Sequence, residues 1–155
     1  MKKIYIILML AAPLVAADFR AGVARVKITP EGPIWLSGYA ARKHASEGVL
    51  HDLWAKALAL EDSKRGRVVI VTTDVIGLPR PISELVAARV QKQWGLERAR
   101  ILLNSSHTHT GPVLRANLSA MYDLSPEDSQ RVNDYSQKLT DALVTVIGAA
   151  LGDLQ

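Results

Sequence analysis

A strand–helix–strand pattern in the middle of the chain limits its possible folds more than any other feature. Residues 67–73 contain a run of four apolar residues, which is typical of a strand covered on both faces. A helical pattern then starts with Pro81 in its first turn and stops at Gly95, and a second apolar run follows at residues 100–104. Two strands joined by a helix form the crossover unit of a parallel sheet. The sequence therefore predicts an α/β fold, a layered mixed or parallel sheet with flanking helices.

Further elements are predicted on both sides of this unit. Residues 19–28 and 53–60 favour strands, and a polar turn between the second of these and the central unit indicates a hairpin. A long helix is expected after Ser125, a capping residue followed by a proline and two acids. Its stripe of apolar residues runs to about Gly148 and contains Val132, Tyr135, Leu139, Leu143, Val146 and Ile147.

The first residues have the pattern of a secretory signal peptide. Two lysines precede an apolar run over residues 4–15, and small residues follow it, so we expect cleavage after Ala17. A membrane anchor is the alternative, but a spanning helix needs about 20 apolar residues, and this run is shorter. We therefore expect a signal peptide at residues 1–17, a mature domain at residues 18–155, and a secreted or periplasmic product.

The composition limits the chemistry that is available to the chain. The formal net charge of +4 comes from lysines and arginines spread along the sequence, so nucleic acid is not an expected partner. The chain contains no cysteine, and any metal ion must be bound by His, Asp, Glu or Tyr. A small basic cluster at Arg42, Lys43 and His44 is interpreted as a solvated loop, with peripheral contact to an anionic membrane surface as the alternative.

Two histidines lie where the strand at residues 101–103 gives way to a polar loop. His107 and His109 are separated by one residue, and in extended backbone such side chains point to the same side, about 6.6 to 6.8 Å apart. Sheets of this kind bind ligands beyond the carboxyl ends of their strands, so one metal ion could contact both rings. A surface loop without a metal is the alternative. The pair supplies at most two of the three protein ligands that a catalytic zinc usually has.

Several blocks of the sequence carry a recognisable pattern, and they are residues 21–30, 36–40, 48–58, 71–74 and 107–112. The last block is His-Thr-His-Thr-Gly-Pro. In content and order, these blocks resemble the neutral/alkaline non-lysosomal ceramidase family, whose signature also ends in a glycine–proline pair. The similarity extends over about residues 20–150.

The resemblance implies a zinc-dependent amidase that hydrolyses the amide of ceramide to sphingosine and a fatty acid. It makes His107 a zinc ligand and His109 a catalytic residue beside the metal that contacts the substrate. The family's other ligands lie further along its sequence, so we expect the N-terminal portion of a catalytic domain, inactive alone. The alternatives are a non-catalytic exported domain of this fold, or a barrel metallohydrolase, in which a His-x-His pair would follow the first strand.

Three other side chains could belong to a site. Asp74 ends the strand at residues 67–73, where it could act in catalysis or cap a turn. His51 does not match the tighter glycine–hydrophobic–histidine spacing of the family, and we leave it unassigned. His44 does not match the family's second metal-binding histidine either.

Overall fold

A four-stranded sheet forms the centre of the molecule. The computed structural model describes residues 19–118 and 121–155, so the expected signal peptide lies outside the described residues. In the sheet order β1-β2-β3-β4, neighbours are antiparallel except for β3 and β4, which are parallel. The hairpin, the parallel crossover and the α/β class are therefore confirmed. The strands are β1 (Arg20–Lys27), β2 (Trp54–Glu61), β3 (Arg67–Thr73) and β4 (Ile101–Ser105).

Helix α1 (Arg80–Trp94) makes the crossover between the two parallel strands. Its end is set by Gly95, whose φ of 68° lies in the left-handed region and whose N–H donates to the carbonyl of Gln91. A single short 3-10 turn, Arg98–Arg100, then leads directly into β4. This short connection after α1 lets β4 pair with β3, so that the last residues of the two strands, Thr73 and Ser105, lie side by side.

Helix α2 (Pro126–Gly152) begins as the sequence predicts, with the Ser125 hydroxyl accepting from the Asp128 N–H at 3.0 Å. The helix continues to Gly152, beyond Gly148, where the predicted apolar stripe ends. Gly148 is a packing position: a Cβ there would lie 2.2 Å from the Trp94 ring. Its missing side chain lets the indole lie against the backbone of α2.

The hydrophobic core lies between α2 and one face of the sheet. Val69 and Val71 of β3 are fully buried there, next to a row of small residues on β2, Ala55, Ala57 and Ala59. The small alanines let the helix approach the sheet closely. The whole apolar stripe predicted for α2 is buried, as expected.

The opposite face of the sheet is apolar but more open in the described part of the chain. Val23, Leu58, Ile70 and Leu102 lie in one row across the four strands. The two outer members, Val23 and Leu102, are 65% and 57% exposed. The expectation that β3 is covered on both faces therefore does not hold for the described residues, because α2 packs on one face and α1 packs along α2.

The C-terminal end of α2 is joined to the edge strand β1. The backbones of Ala21 and Gln155 exchange two hydrogen bonds of 3.2 Å. Gly22 lies directly under the last turn of the helix, where an added Cβ would be 2.1 Å from the carbonyl oxygen of Ala150. The first strand and the last helix thus meet backbone to backbone, which only glycine permits.

Candidate functional site

The histidine loop, residues 106–112, leaves the sheet at the carboxyl edge of its two parallel strands. The N–H of Ser106 donates to the carbonyl of Thr73 at 2.9 Å, which keeps the chain beside β3 for one residue beyond β4. The Thr73 hydroxyl also donates to the carbonyl of Asn104 at 3.0 Å. The loop therefore begins where the strand–helix–strand unit predicts a ligand site.

His107 has an unusual backbone and a fixed ring. Its φ of 60° lies in the left-handed region, which few residues other than glycine adopt and which is enriched at functional sites. Its Nδ1 lies 2.7 Å from the carbonyl oxygen of Ile76. Because a carbonyl can only accept, Nδ1 carries the hydrogen and donates it. In the neutral imidazole Nε2 then keeps its lone pair, and it is the nitrogen that can bind a metal ion.

The His109 ring lies beside that of His107. The two ring centroids are 5.2 Å apart, and the ring planes meet at 67°. The structure thus brings the two imidazoles together, although not through the extended backbone on which the prediction was based. The left-handed residue His107 turns the chain instead, and the loop that follows it brings His109 back towards it.

A second segment, residues 35–38, is hydrogen-bonded along the far end of the histidine loop. Leu36 forms a bridge with Pro112, and the N–H of Ser37 donates to the carbonyl of Gly111 at 2.9 Å. The buried Ser37 hydroxyl donates to the carbonyl of Pro112 at 3.2 Å. Residues 36–40 and 107–112 are two of the blocks that resemble the ceramidase family. They are far apart in sequence, and these hydrogen bonds join them in the structure.

Gly38 supports the imidazole of His109. Its φ of 103° is one that side chains rarely adopt, and an added Cβ would lie 2.4 Å from Cγ of His109. Its N–H donates to the hydroxyl of Tyr122 at 2.7 Å, which fixes this backbone. Sequence reasoning did not identify Gly38 as a site residue. The only signal was a glycine beside an aromatic residue in one of the family-like blocks.

Tyr39 and Arg42 complete the surroundings of His109. The Tyr39 ring meets the His109 ring edge to face, with centroids 5.1 Å apart. Arg42 donates through Nη2 to the carbonyl of His109 at 2.8 Å, and its guanidinium carbon lies 5.3 Å from the Tyr39 ring centre. The interpretation of residues 42–44 as a solvated loop therefore fits the exposed Lys43 and His44 but was wrong for Arg42.

The other candidate side chains lie outside this cluster or have structural contacts. The Asp74 carboxylate accepts from the N–H of Trp54 at 2.9 Å, while its own N–H donates to the Trp54 carbonyl. These contacts join the end of β3 to the start of β2 and support the capping interpretation. His44 is exposed, with Nδ1 near the carbonyl of Ala45, and His51 is exposed as well.

The described residues provide part of a metal site. Over residues 19–118 and 121–155, no group of three or more His, Asp or Glu side chains is placed to hold a metal ion. The histidine loop offers two imidazoles, and the hydrogen bond at Nδ1 of His107 orients that ring so that Nε2 of its neutral form could bind a metal ion. A catalytic zinc usually has three protein ligands, so this donor set fits zinc only in part. In the same ranges, no helix is long and apolar enough to cross a membrane.

The fold and the loop together define an α/β protein with paired histidines beyond its parallel strands. The family model "Neutral/alkaline non-lysosomal ceramidase, N-terminal" matches residues 19–155. The chain belongs to this family.

Individual relatives support the same conclusion. The neutral ceramidase of Pseudomonas aeruginosa is 28% identical over 145 residues, which cover 90% of this chain and 21% of that protein. The Drosophila melanogaster neutral ceramidase is 31% identical over 102 residues, or 64% of this chain and 14% of its own. The crystal structure of the Pseudomonas aeruginosa enzyme superposes with a TM-score of 0.76 at 26% identity, covering 90% of this chain and 22% of that one. The chain thus spans about a fifth or less of these relatives.

Proposed function

We propose that this chain is the metal-binding N-terminal portion of an exported, zinc-dependent ceramidase. The reaction is hydrolysis of the amide of a ceramide-like lipid to a sphingoid base and a fatty acid. The observation that carries the proposal is the Nδ1–H of His107 donating to the Ile76 carbonyl, which in the neutral ring leaves Nε2 available to a metal ion, with the His109 ring beside it. Membership of a family whose relatives are neutral ceramidases supports a ceramide-like lipid amide as the substrate.

His107 would hold the zinc ion through Nε2. A bound zinc ion lowers the pKa of water to about 7 and polarises a carbonyl, both of which favour attack on a resistant amide. The described residues of this chain would orient the His107 side chain that binds the zinc ion. The carbonyl of Ile76 fixes the ring and raises the basicity of Nε2, as partners of metal-binding histidines commonly do.

His109 would contact the substrate rather than serve as an equal second ligand. Its ring is held by contacts with Gly38 and Tyr39, whereas that of His107 is held by a hydrogen bond at Nδ1. An imidazole in this position can donate a hydrogen bond to the reacting amide or transfer a proton to it. The two histidines would therefore have different roles, although they lie 5.2 Å apart.

The remaining zinc ligands would come from polypeptide beyond the described residues. Two imidazoles do not make the three-ligand site of a catalytic zinc, and no further group of donors lies beside them in residues 19–118 and 121–155. The same observation favours a second candidate function, a non-catalytic exported domain with this fold. Export would follow from cleavage near Ala17, and a lipid substrate implies contact with a membrane surface, to which Lys43 could contribute.

A chimeric enzyme separates the two candidate functions. Residues 19–155 would replace the matching portion of the Pseudomonas aeruginosa neutral ceramidase, and ceramide hydrolysis would be followed by fatty acid release. We expect the 155-residue chain alone to be inactive, because its donor set is too small, and the chimera to be active and inhibited by a zinc chelator. A folded chimera without activity would favour the non-catalytic domain. Zinc-dependent turnover by the 155-residue chain alone would refute the proposal of external ligands.

A further inference from the structure

A partly buried arginine, Arg42, donates a hydrogen bond to the backbone of His109. We propose that Arg42 is a positioning residue, which holds the His109 imidazole beside His107 by two routes. One route runs through the backbone of His109 and the other through the ring of Tyr39. The functional part of this inference rests on the proposed role of His109 in contacting substrate, whereas the geometric part can be tested without it.

The first route fixes the backbone of the histidine loop. Nη2 of Arg42 donates to the carbonyl of His109 at 2.8 Å, across a sequence separation of 67 residues. Arg42 is itself held by a turn, because its N–H donates to the carbonyl of Tyr39 at 3.2 Å. The hydrogen bond therefore ties the middle of the histidine loop to a defined turn. A charged donor makes this bond stronger than one between neutral groups.

The second route fixes the ring. The guanidinium of Arg42 lies over the Tyr39 ring at 5.3 Å, within the range of a cation–π contact. The Tyr39 ring in turn meets the His109 ring at 5.1 Å. Tyr39 is 55% exposed, so much of this side chain faces solvent. Arg42 thereby fixes the aromatic wall on one side of the imidazole.

The environment of Arg42 differs from that of an arginine in a solvated loop. Its neighbours Lys43 and His44 are exposed, whereas Arg42 is partly buried. Its Nε is buried and has no hydrogen-bond acceptor in the described part of the chain, which is unfavourable for a polar group. The planar guanidinium can donate to a carbonyl and lie on a ring at once, and an ammonium group cannot reproduce that combination. Lysine should therefore fail to replace it.

NMR spectroscopy of the purified full chain tests the geometry directly. The chain has four histidines and four tyrosines, so their ring resonances can be assigned individually. We expect cross-relaxation between the Tyr39 and His109 rings in the unaltered protein, and its loss in both Arg42→Gln and Arg42→Lys. Tyr39→Phe should keep a ring-to-ring contact with His109. Arg89→Gln is the matched control, because Arg89 pairs with Asp141 on the helix surface and should leave the site spectrum unchanged.

The outcomes separate a positioning role from a general stabilising role. If Arg42→Gln or Arg42→Lys lowers the melting temperature but keeps the ring contact, the positioning role is refuted. Should Arg42→Gln fail to fold, Arg42→Lys, which keeps the charge, still gives the spectrum. In the ceramidase chimera, Arg42→Lys should lower kcat and leave the zinc content unchanged, because His107 is held by Ile76 and not by Arg42. Unaltered kcat would refute the functional part alone, whereas an inactive parent chimera would count against the proposed function and leave the NMR result standing.

Discussion

His107→Ala should remove bound zinc and turnover together in a form of the protein whose metal site is complete. Loss of a direct ligand leaves too few donors for zinc. A metal ion supplies several kcal/mol of transition-state stabilisation, and each 1.4 kcal/mol is about tenfold, so turnover should fall roughly 1,000-fold or more. Zinc content by atomic emission and hydrolysis rates would be measured on the same preparations.

His109→Ala provides the contrast to this variant. This variant should keep most of its zinc. Its affinity for zinc should fall about 10- to 100-fold, as is typical when a residue that supports a metal ligand is removed, while its turnover falls steeply. Equal zinc loss in both variants would instead indicate a symmetric pair of ligands. Retained zinc and activity in His107→Ala would contradict the site assignment.

Gly22→Ala should destabilise the fold more than an ordinary surface substitution. The added Cβ would lie 2.1 Å from the carbonyl oxygen of Ala150, and both groups that collide are backbone or attached directly to it. Overpacking costs about 1 to 3 kcal/mol and more when nothing can rotate away, so we expect at least the upper end of this range. At about 4 °C per kcal/mol, the melting temperature should fall by roughly 10 °C or more.

Gly152→Ala is the matched control for this substitution. Gly152 is the last residue of α2, the helix that contains Ala150, and nothing lies within 4 Å of a Cβ added at Gly152. Because alanine favours helix more than glycine does, this variant should be as stable as the unaltered protein or slightly more so. Equal melting temperatures for Gly22→Ala and Gly152→Ala, measured by circular dichroism, would show that the contact between β1 and α2 is not as close as described.

The local elements could be predicted from the sequence because their signals are short-range. The serine cap of α2, the glycine stop of α1 and the apolar run of β3 each depend on neighbouring residues. The crossover unit then placed the histidine loop at the carboxyl edge of the sheet, since parallel strands joined by a helix leave few other arrangements. The meeting of the two imidazoles was predicted from an extended backbone, whereas in the structure it depends on the left-handed conformation of His107.

Long-range contacts between polar or small residues could not be predicted in this way. Gly148 carries the same local signal as a helix stop, and only the Trp94 ring reveals its packing role. Arg42 resembles its exposed neighbours in sequence, and its contact with His109 depends on a pairing between residues 67 positions apart. Gly38 likewise shows its purpose only through the ring that lies on it. The periodicity of apolar residues along a sequence contains no information about which distant residues will contact each other.

We expect His107 to bind zinc through Nε2 while Nδ1 donates to the carbonyl of Ile76. Anomalous diffraction at the zinc absorption edge, on crystals of the complete or chimeric enzyme, tests it most directly. We expect an anomalous peak about 2.0 to 2.1 Å from Nε2 of His107, with the Nδ1 contact to Ile76 intact. A zinc peak elsewhere, or one bound to Nδ1 of His107, would contradict the account.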